Sequence, residues 1–169
     1  MNITKATPHD IQELVTLINS AYREESSKKG WTTEAGLLGG IRTDGDALQQ
    51  MISKENAVIL KFCNEDNVIE ACVYLEKKNN KMYLGMLTVS PMLQTKGIGK
   101  KLLFAAEEYA REQNCFAMQM TVISVRNELI DWYERHGYYK TGEKQPFPDD
   151  EKFGVQKQPL QFVVMEKQV

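Results

Sequence analysis

The sequence predicts a mixed α/β fold in which helices cover one sheet. Three apolar or alternating stretches, at 57–62, 68–76 and 82–89, are separated by short polar turns, as expected for antiparallel strands. Beyond the third stretch, strand and helix patterns alternate along the chain. A right-handed crossover would then make the strands at 82–89 and 116–122 parallel neighbours.

Apolar residues recur at helical spacing in four places, and two further strands complete the pattern. The predicted helices cover 7–22, 47–52, 97–113 and 125–136. Thr7 and Pro8 are typical of a helix start, and Gly137 is typical of the residue that follows a helix end. The last two strands are predicted at 138–142 and 160–166.

The bulk composition narrows the classes of function. A chain of 169 residues can bury a core without disulfides, so we expect a single domain over residues 1–169. With a net charge of -2, the chain has no excess of basic residues to attract nucleic acid, so no nucleic-acid partner is expected. Three cysteines and two histidines lack the spacing of metal ligands, so no metal is expected. No apolar segment is typical of a signal peptide or a membrane span, so we expect a cytoplasmic protein with no membrane partner.

A turn containing Gly97 and Gly99 connects the strand at 82–89 to the third helix. Without side chains at these two positions, the N–H groups at the helix start can approach a phosphate, and the helix dipole favours an anion there. Nearby lysines, Lys96, Lys100 and Lys101, add positive charge. Taken alone, however, two such glycines more often serve a tight turn or close packing of helix on strand.

The turn does not match either of two common phosphate-binding loops. A dinucleotide fingerprint needs a third glycine where Leu102 stands. A Walker loop needs Ser or Thr where Lys101 stands. Any phosphate held here would therefore belong to another kind of site.

Two segments in this region resemble the GNAT superfamily of acetyltransferases. The run Gln94-Thr95-Lys96-Gly97-Ile98-Gly99 is similar to the family signature Q/R-x-x-G-x-G/A, with a strand before it and a helix after it. The segment 127–138 is similar to the family's Asn…Tyr-Glu-Lys-x-Gly-Phe segment. The resemblance implies a GNAT-like α/β (α+β) fold. Its mixed, mostly antiparallel sheet would have about seven strands, two of them splayed, parallel and central, with about four flanking helices.

The resemblance also implies that acetyl-CoA, as co-substrate, lies in the gap between the two parallel strands. The implied cofactor-binding residues are Leu87, Thr88, Val89, Gln94, Thr95, Lys96, Gly97, Ile98, Gly99, Lys100 and Asn127. Backbone groups of Leu87 and Val89 would pair with the pantetheine arm, and the amides of 95–100 would hold the pyrophosphate. For Asn127, an ordinary role at the helix start beside an N-cap such as Ser124 is the alternative.

Tyr133 falls where the family places its general acid. A phenol with a pKa near 10 can protonate a departing thiolate of similar basicity. Considered by its helix pattern alone, Tyr133 is instead a core aromatic residue beside Trp132. The implied reaction moves an acetyl group from acetyl-CoA to an amine of a small-molecule or peptide acceptor by direct attack on the thioester.

The general base and the acceptor stay open. Many relatives carry a carboxylate on the strand before the turn, but residues 84–87 supply none. Glu34, Asp44 and Glu76 are candidate bases, although each is more typical of a solvated surface carboxylate. A chain of water molecules is the alternative base. The missing carboxylate favours, as an alternative, an inactive acyl-CoA-binding or sensing module. A purely structural glycine turn would instead indicate an interaction protein.

The first helix, 7–22, and two irregular segments, 26–46 and 144–157, are expected to form walls of the acceptor pocket. Trp31, Arg42 and Phe147 would recognise an acceptor by stacking or charge, or would anchor their loops. His136 is interpreted as a helix-end residue that complements the dipole. The pattern does not set the oligomeric state, and a homodimer is one option.

Overall fold

A computed structural model describes residues 2–169 of the chain, without the side chain of Phe153. The strands are β1 (Asn2–Lys5), β2 (Leu38–Gly39), β3 (Ala57–Cys63), β4 (Ile69–Lys78), β5 (Lys81–Val89), β6 (Ala117–Ile123), β7 (Tyr139–Pro146), β8 (Val155–Gln156) and β9 (Gln161–Gln168). The helices are α1 (Ile11–Tyr22), α2 (Gly45–Ile52), α3 (Ile98–Glu112) and α4 (Asn127–Arg135). Seven strands form one sheet in the order β1-β3-β4-β5-β6-β9-β7, and β2 pairs with β8 separately.

The centre of the seven-stranded sheet holds its parallel pair, β5 and β6, while the other neighbours run antiparallel. The two strands pair only at their starts, through Lys81 with Ala117, Met82 with Met118 and Tyr83 with Gln119. A β-bulge then shifts the register of β5 against β4, and Met86 takes a positive φ of 49°. The expected splayed parallel strands are confirmed, and a gap separates their C-terminal halves.

Helices bury both faces of the sheet. On one face, Leu102 of α3 packs in a core with Val73 and Met118. On the other face, Ile18 of α1 and Leu48 of α2 pack in a second core. Because both faces are covered, β3 and β4 are apolar almost continuously instead of alternating.

The predicted strands and helices are confirmed, with several ends displaced. The edge strand β1 was not predicted, because its short, mostly exposed sequence carries no apolar pattern. β7 continues past the predicted end at Gly142 to Pro146, although its residues are exposed throughout. Pairing with β9 stabilises this extension, and such pairing leaves no apolar pattern in the residues of β7 themselves. α4 begins at Asn127, two positions later than predicted.

Three features bear on partners and ligands. Across residues 2–169, no helix has both the length and the apolarity to cross a bilayer. Cys63, Cys72 and Cys115 are buried and unpaired. The described part of the chain brings no three metal-ligating His, Cys, Asp or Glu side chains together.

Candidate active site

A cleft of about 590 Å³ lies where the gap between β5 and β6 meets α3 and α4. We call it the first cleft. Seven of the predicted cofactor-binding residues line it, namely Leu87, Val89, Gln94, Thr95, Gly97, Gly99 and Lys100. Thr88, Lys96, Ile98 and Asn127 are not among its lining residues. Thr88 and Ile98 are instead buried, and Asn127 is the exposed first residue of α4. The volume falls within the range of sites that hold small molecules.

The glycine turn presents backbone amides at the start of α3. Gly97 precedes the helix with a φ of +80°, and Thr95 has the positive φ of 72° that a β-branched residue rarely adopts. The first helical bond runs from the Lys101 N–H to the Gly97 oxygen at 3.1 Å. The N–H groups of residues 98–100 therefore have no acceptor within the helix, and they lie at the positive end of the helix dipole. This geometry suits an anionic group such as a phosphate.

The end of β5 contributes a second set of backbone groups. The Ser90 N–H donates to Glu70 in β4 at 2.9 Å, so the preceding residue, Val89, directs its N–H and C=O into the gap. Within the protein, the Val89 oxygen accepts a hydrogen bond from Gln94 and the Leu87 oxygen accepts one from the Tyr22 hydroxyl. Each carbonyl keeps one further lone pair for a ligand that extends along the strand.

The Gln94 side chain shapes the cleft by joining two segments. Its Oε1 accepts hydrogen bonds from the N–H groups of Trp31 at 2.7 Å and Thr32 at 3.4 Å. Its Nε2 donates to the Thr32 hydroxyl at 2.7 Å and to the Val89 oxygen at 3.1 Å. The amide is thus occupied by protein partners, and it holds the 31–32 segment against the glycine turn.

Gly30 is required for this arrangement. A Cβ at position 30 would lie 2.4 Å from Gln94 Oε1, so Gly30→Ala displaces the Gln94 amide. We expect the variant to lose about 1–3 kcal/mol of unfolding free energy in urea, because the Trp31 N–H loses its partner. Amide hydrogen exchange at Trp31 should also accelerate. Gly36→Ala is the matched control, since a Cβ there meets nothing within 4 Å, and equal exchange rates in the two variants would contradict the assignment.

A second cleft, of about 310 Å³, is lined by both strands of the parallel pair, through residues 83–87 of β5 and 120–123 of β6. Its walls include Arg42 and Phe147, both predicted to face an acceptor, whereas Trp31 lines the first cleft. The two clefts share five lining residues, namely Tyr22, Leu87, Arg126, Leu129 and Tyr133. A ligand in one cleft would therefore meet a ligand in the other beside these side chains.

Tyr133 is placed at this junction by α4. Its ring is buried, 5 % exposed, and makes edge contacts with Trp132 at 5.1 Å and Tyr138 at 5.6 Å between ring centroids. Burial raises the pKa of the Tyr133 phenol above its ordinary value. Within residues 2–169 its hydroxyl has no hydrogen-bond partner. The group is thus a protonated phenol whose hydroxyl is available to a ligand.

The three candidate bases occupy different surroundings. Glu34 is buried, and its two oxygens contact Arg23 Nε at 3.1 Å and Arg126 Nη1 at 3.4 Å. The expectation of a solvated carboxylate is therefore wrong for Glu34, because folding brings Arg126 to it from a distant segment. Asp44 accepts the Ala47 N–H at the start of α2, and Glu76 accepts the Tyr74 hydroxyl and contacts Lys54. Of the three, only Glu34 lines a cleft, and both of its oxygens are engaged.

Several residues at this site have no local sequence signal. Tyr22 fits the apolar pattern of α1, yet its hydroxyl donates to the backbone oxygen of Leu87 in β5. Arg126 reaches Glu34 and also donates to the Thr32 oxygen at 2.7 Å. His136 follows α4 as expected and also lines the first cleft, with its ring centroid 4.2 Å from that of Trp132. Only an alignment or a structure could identify such residues.

Comparison with known proteins agrees with this geometry. A sequence profile of the acetyltransferase (GNAT) domain matches residues 34–151. The chain belongs to the GNAT acetyltransferase family. A curated acetyltransferase of Agrobacterium fabrum, Atu2258, is 30% identical over 83 residues, which are 49% of this chain. This chain covers 59% of the length of that relative.

Solved structures of GNAT enzymes share the fold. The ribosomal-protein-S18-alanine N-acetyltransferase of Escherichia coli superposes with a TM-score of 0.75 at 11% identity, covering 99% of this chain and 93% of that one. A ribosomal-protein-alanine N-acetyltransferase of Brucella melitensis gives 0.74 at 17% identity, covering all of both chains. At such identities the likeness establishes the GNAT fold and leaves the acceptor open.

Proposed function

We propose that this GNAT protein is an N-acetyltransferase that moves an acetyl group from acetyl-CoA to an amine. The observation that carries the proposal is the junction of the two clefts at Tyr133, which lets a donor and an acceptor meet there. We also propose residues 1–169 as one acetyltransferase domain, because β1 and β9, outside the family match, belong to the same sheet.

The residues of the first cleft fit a coenzyme A donor. GNAT proteins use acetyl-CoA or another acyl-CoA, and here the amides of 98–100 are oriented for its pyrophosphate. The Val89 N–H points into the gap, where it would donate to the pantetheine arm. Lys100 adds a positive charge beside the phosphates. Gln94 would act indirectly, by holding the wall of the cleft in place.

Bound acetyl-CoA supplies the acetyl group as a thioester that is open to attack by an amine. The protein holds the amine in the second cleft, close to the shared wall formed by Leu87 and Tyr133. As the amine nitrogen bonds to the acetyl carbon and the carbon–sulfur bond breaks, Tyr133 gives its hydroxyl proton to the sulfur, and the proton lost by the amine passes to water. That water then returns a proton to Tyr133. We assign no side chain as the general base, since Glu34 is held between two arginines.

A direct assay tests the proposal. The protein is incubated with acetyl-CoA and a broad panel of amines while free thiol is measured, and calorimetry measures acetyl-CoA binding. We expect micromolar binding and amine-dependent thiol release. Binding without release for any amine would instead favour an inactive acyl-CoA-binding or sensing module.

The raised pKa of Tyr133 predicts the alkaline behaviour of the reaction. The acid form of Tyr133 is the active one, so activity would fall only above its pKa, which burial places above about 10, the ordinary value for a phenol. We therefore expect the rate to rise with pH as the acceptor amine loses its proton, without a decline before about pH 10. The measurement is kcat/KM from pH 6 to 10. A decline with a midpoint near pH 8 would contradict Tyr133 as the acid.

A further inference from the structure

The second cleft is richer in positive than in negative charge. Three guanidinium groups, those of Arg23, Arg42 and Arg126, face two carboxylates, Glu34 and Asp150. Two of the arginines are committed to the protein itself, because both contact Glu34. Arg23 Nη1 also donates to the backbone oxygens of Gly39 and Ile41, and Arg126 Nη2 donates to that of Thr32. These two arginines therefore stabilise the wall of the second cleft.

Arg42 differs from these two. Within residues 2–169 its guanidinium makes no ion pair and no side-chain hydrogen bond, and its central carbon lies 5.9 Å from the centroid of the Tyr22 ring. Its backbone position is nevertheless well defined. The buried Asn19 accepts the Arg42 N–H at 2.7 Å and donates to the Thr43 oxygen at 3.0 Å. A fixed backbone thus presents a planar set of unused donors to the cleft.

Tyr22 connects Arg42 to the proposed reacting centre at the junction of the clefts. Tyr22 contacts Arg42 through its ring, and its hydroxyl donates to the Leu87 oxygen at the edge of the gap. A ligand group bound to Arg42 would therefore be separated from the junction of the clefts by about the length of the Tyr22 side-chain ring. An acceptor that reaches both points is a short molecule, and a cavity of about 310 Å³ suits one of amino-acid size.

The remaining walls of the second cleft are largely apolar. Phe147 and Phe162 pack with ring centroids 5.0 Å apart, and Tyr83 and Met120 also face the cavity. Such walls favour an aliphatic or aromatic body over a polar chain. A polyamine, which carries several positive charges, would be opposed by the excess of positive over negative charge in this lining.

We propose that the acceptor is a small amino carboxylate with an apolar side chain, whose carboxylate binds Arg42. This inference rests on the proposed acetyltransferase function and adds the class of its substrate. A guanidinium group can donate two parallel hydrogen bonds to the two oxygens of a carboxylate. Arg42 would therefore select a carboxylate by its shape as well as by its charge. The carboxylate on Arg42 turns the amine toward Leu87 and Tyr133, and the side chain lies against Phe147 and Phe162.

The experiment compares amino acids with their carboxamides. Thiol release from acetyl-CoA is measured with L-leucine, L-phenylalanine, L-leucinamide, L-phenylalaninamide and spermidine. For each compound a variant is compared with the parent protein, because an amine beside a carboxylate is more basic than the same amine beside a carboxamide. Arg42→Gln should lower kcat/KM for the two acids by about 10- to 100-fold, the range of a charge-assisted hydrogen bond, and should leave that for the amides within about threefold. Arg42→Lys, which keeps the charge without the guanidinium group, should lower kcat/KM for the acids by a smaller factor. Arg111→Gln, on the exposed face of α3, is the charge-matched control and should leave kcat/KM unchanged for acids and amides.

Calorimetry with the same compounds, with and without coenzyme A, separates the two proposals. Equal losses of affinity and turnover for acids and amides in Arg42→Gln would overturn the carboxylate assignment while leaving acetyl transfer intact. Unchanged kcat/KM for the acids in both Arg42 variants would also overturn it. Loss of coenzyme A binding together with the absence of thiol release would instead refute the acetyltransferase function. Acid binding that depends on Arg42 in such a protein would still support the carboxylate site.

Discussion

Gly99→Glu is expected to weaken coenzyme A binding by at least about 100-fold, because a carboxylate would stand among the amides that we propose hold the pyrophosphate. Gly99 lines the first cleft inside the first turn of α3, and its φ is not in the left-handed region. Backbone strain therefore does not complicate the substitution, as it would at Gly97 with a φ of +80°. Isothermal titration calorimetry measures the Kd, and circular dichroism checks the fold.

Two controls separate charge from bulk and from general destabilisation. Gly99→Ala adds only a Cβ, 3.5 Å from Val89 Cγ2 and thus in ordinary contact, and should bind coenzyme A within about threefold of the parent. Gly36→Glu adds the same charge at an exposed glycine with nothing within 4 Å and should leave the Kd unchanged. Micromolar binding by Gly99→Glu would remove the glycine turn from the donor site.

The second large effect is expected for Tyr133→Phe, which should lower kcat by about 100-fold or more, as loss of a general acid typically does. The substitution removes only a hydroxyl that has no hydrogen-bond partner within residues 2–169, so packing beside Trp132 is retained. We therefore expect an unchanged Kd for acetyl-CoA and an unchanged or slightly raised melting temperature. Steady-state thiol release and thermal unfolding measure the two quantities.

Tyr138→Phe is the matched control for this change. The Tyr138 hydroxyl donates to the buried Glu107 at 3.1 Å, on the α3 side of the sheet and outside both clefts. Its loss should cost about 1–3 kcal/mol of stability with kcat largely preserved. A reversed result, in which Tyr133→Phe keeps kcat and Tyr138→Phe loses it, would show that Tyr133 is only a core aromatic residue.

Features that depend on neighbouring residues were predicted from the sequence more accurately than features that depend on distant segments. Long apolar patterns, such as those of β4 and α3, are visible along the chain and were found within a few residues. β1 and the second half of β7 were missed because their residues are mostly exposed and are held in the sheet by partner strands. Glu34 was misread for a related reason, since its environment comes from Arg23 and Arg126.

The sequence by itself determined the part of the site that we propose for the donor. A strand, a glycine turn and a helix are consecutive, so Gln94–Gly99 alone specifies where backbone amides are left without helical partners. Only the tertiary structure decided the part that we propose for the acceptor. There, Tyr22, Arg42 and Tyr133 come from separate segments and meet because β5 and β6 separate after Tyr83. Local hydrogen bonding can be read from neighbouring residues, whereas the chemistry of a cavity depends on side chains that only long-range packing brings together.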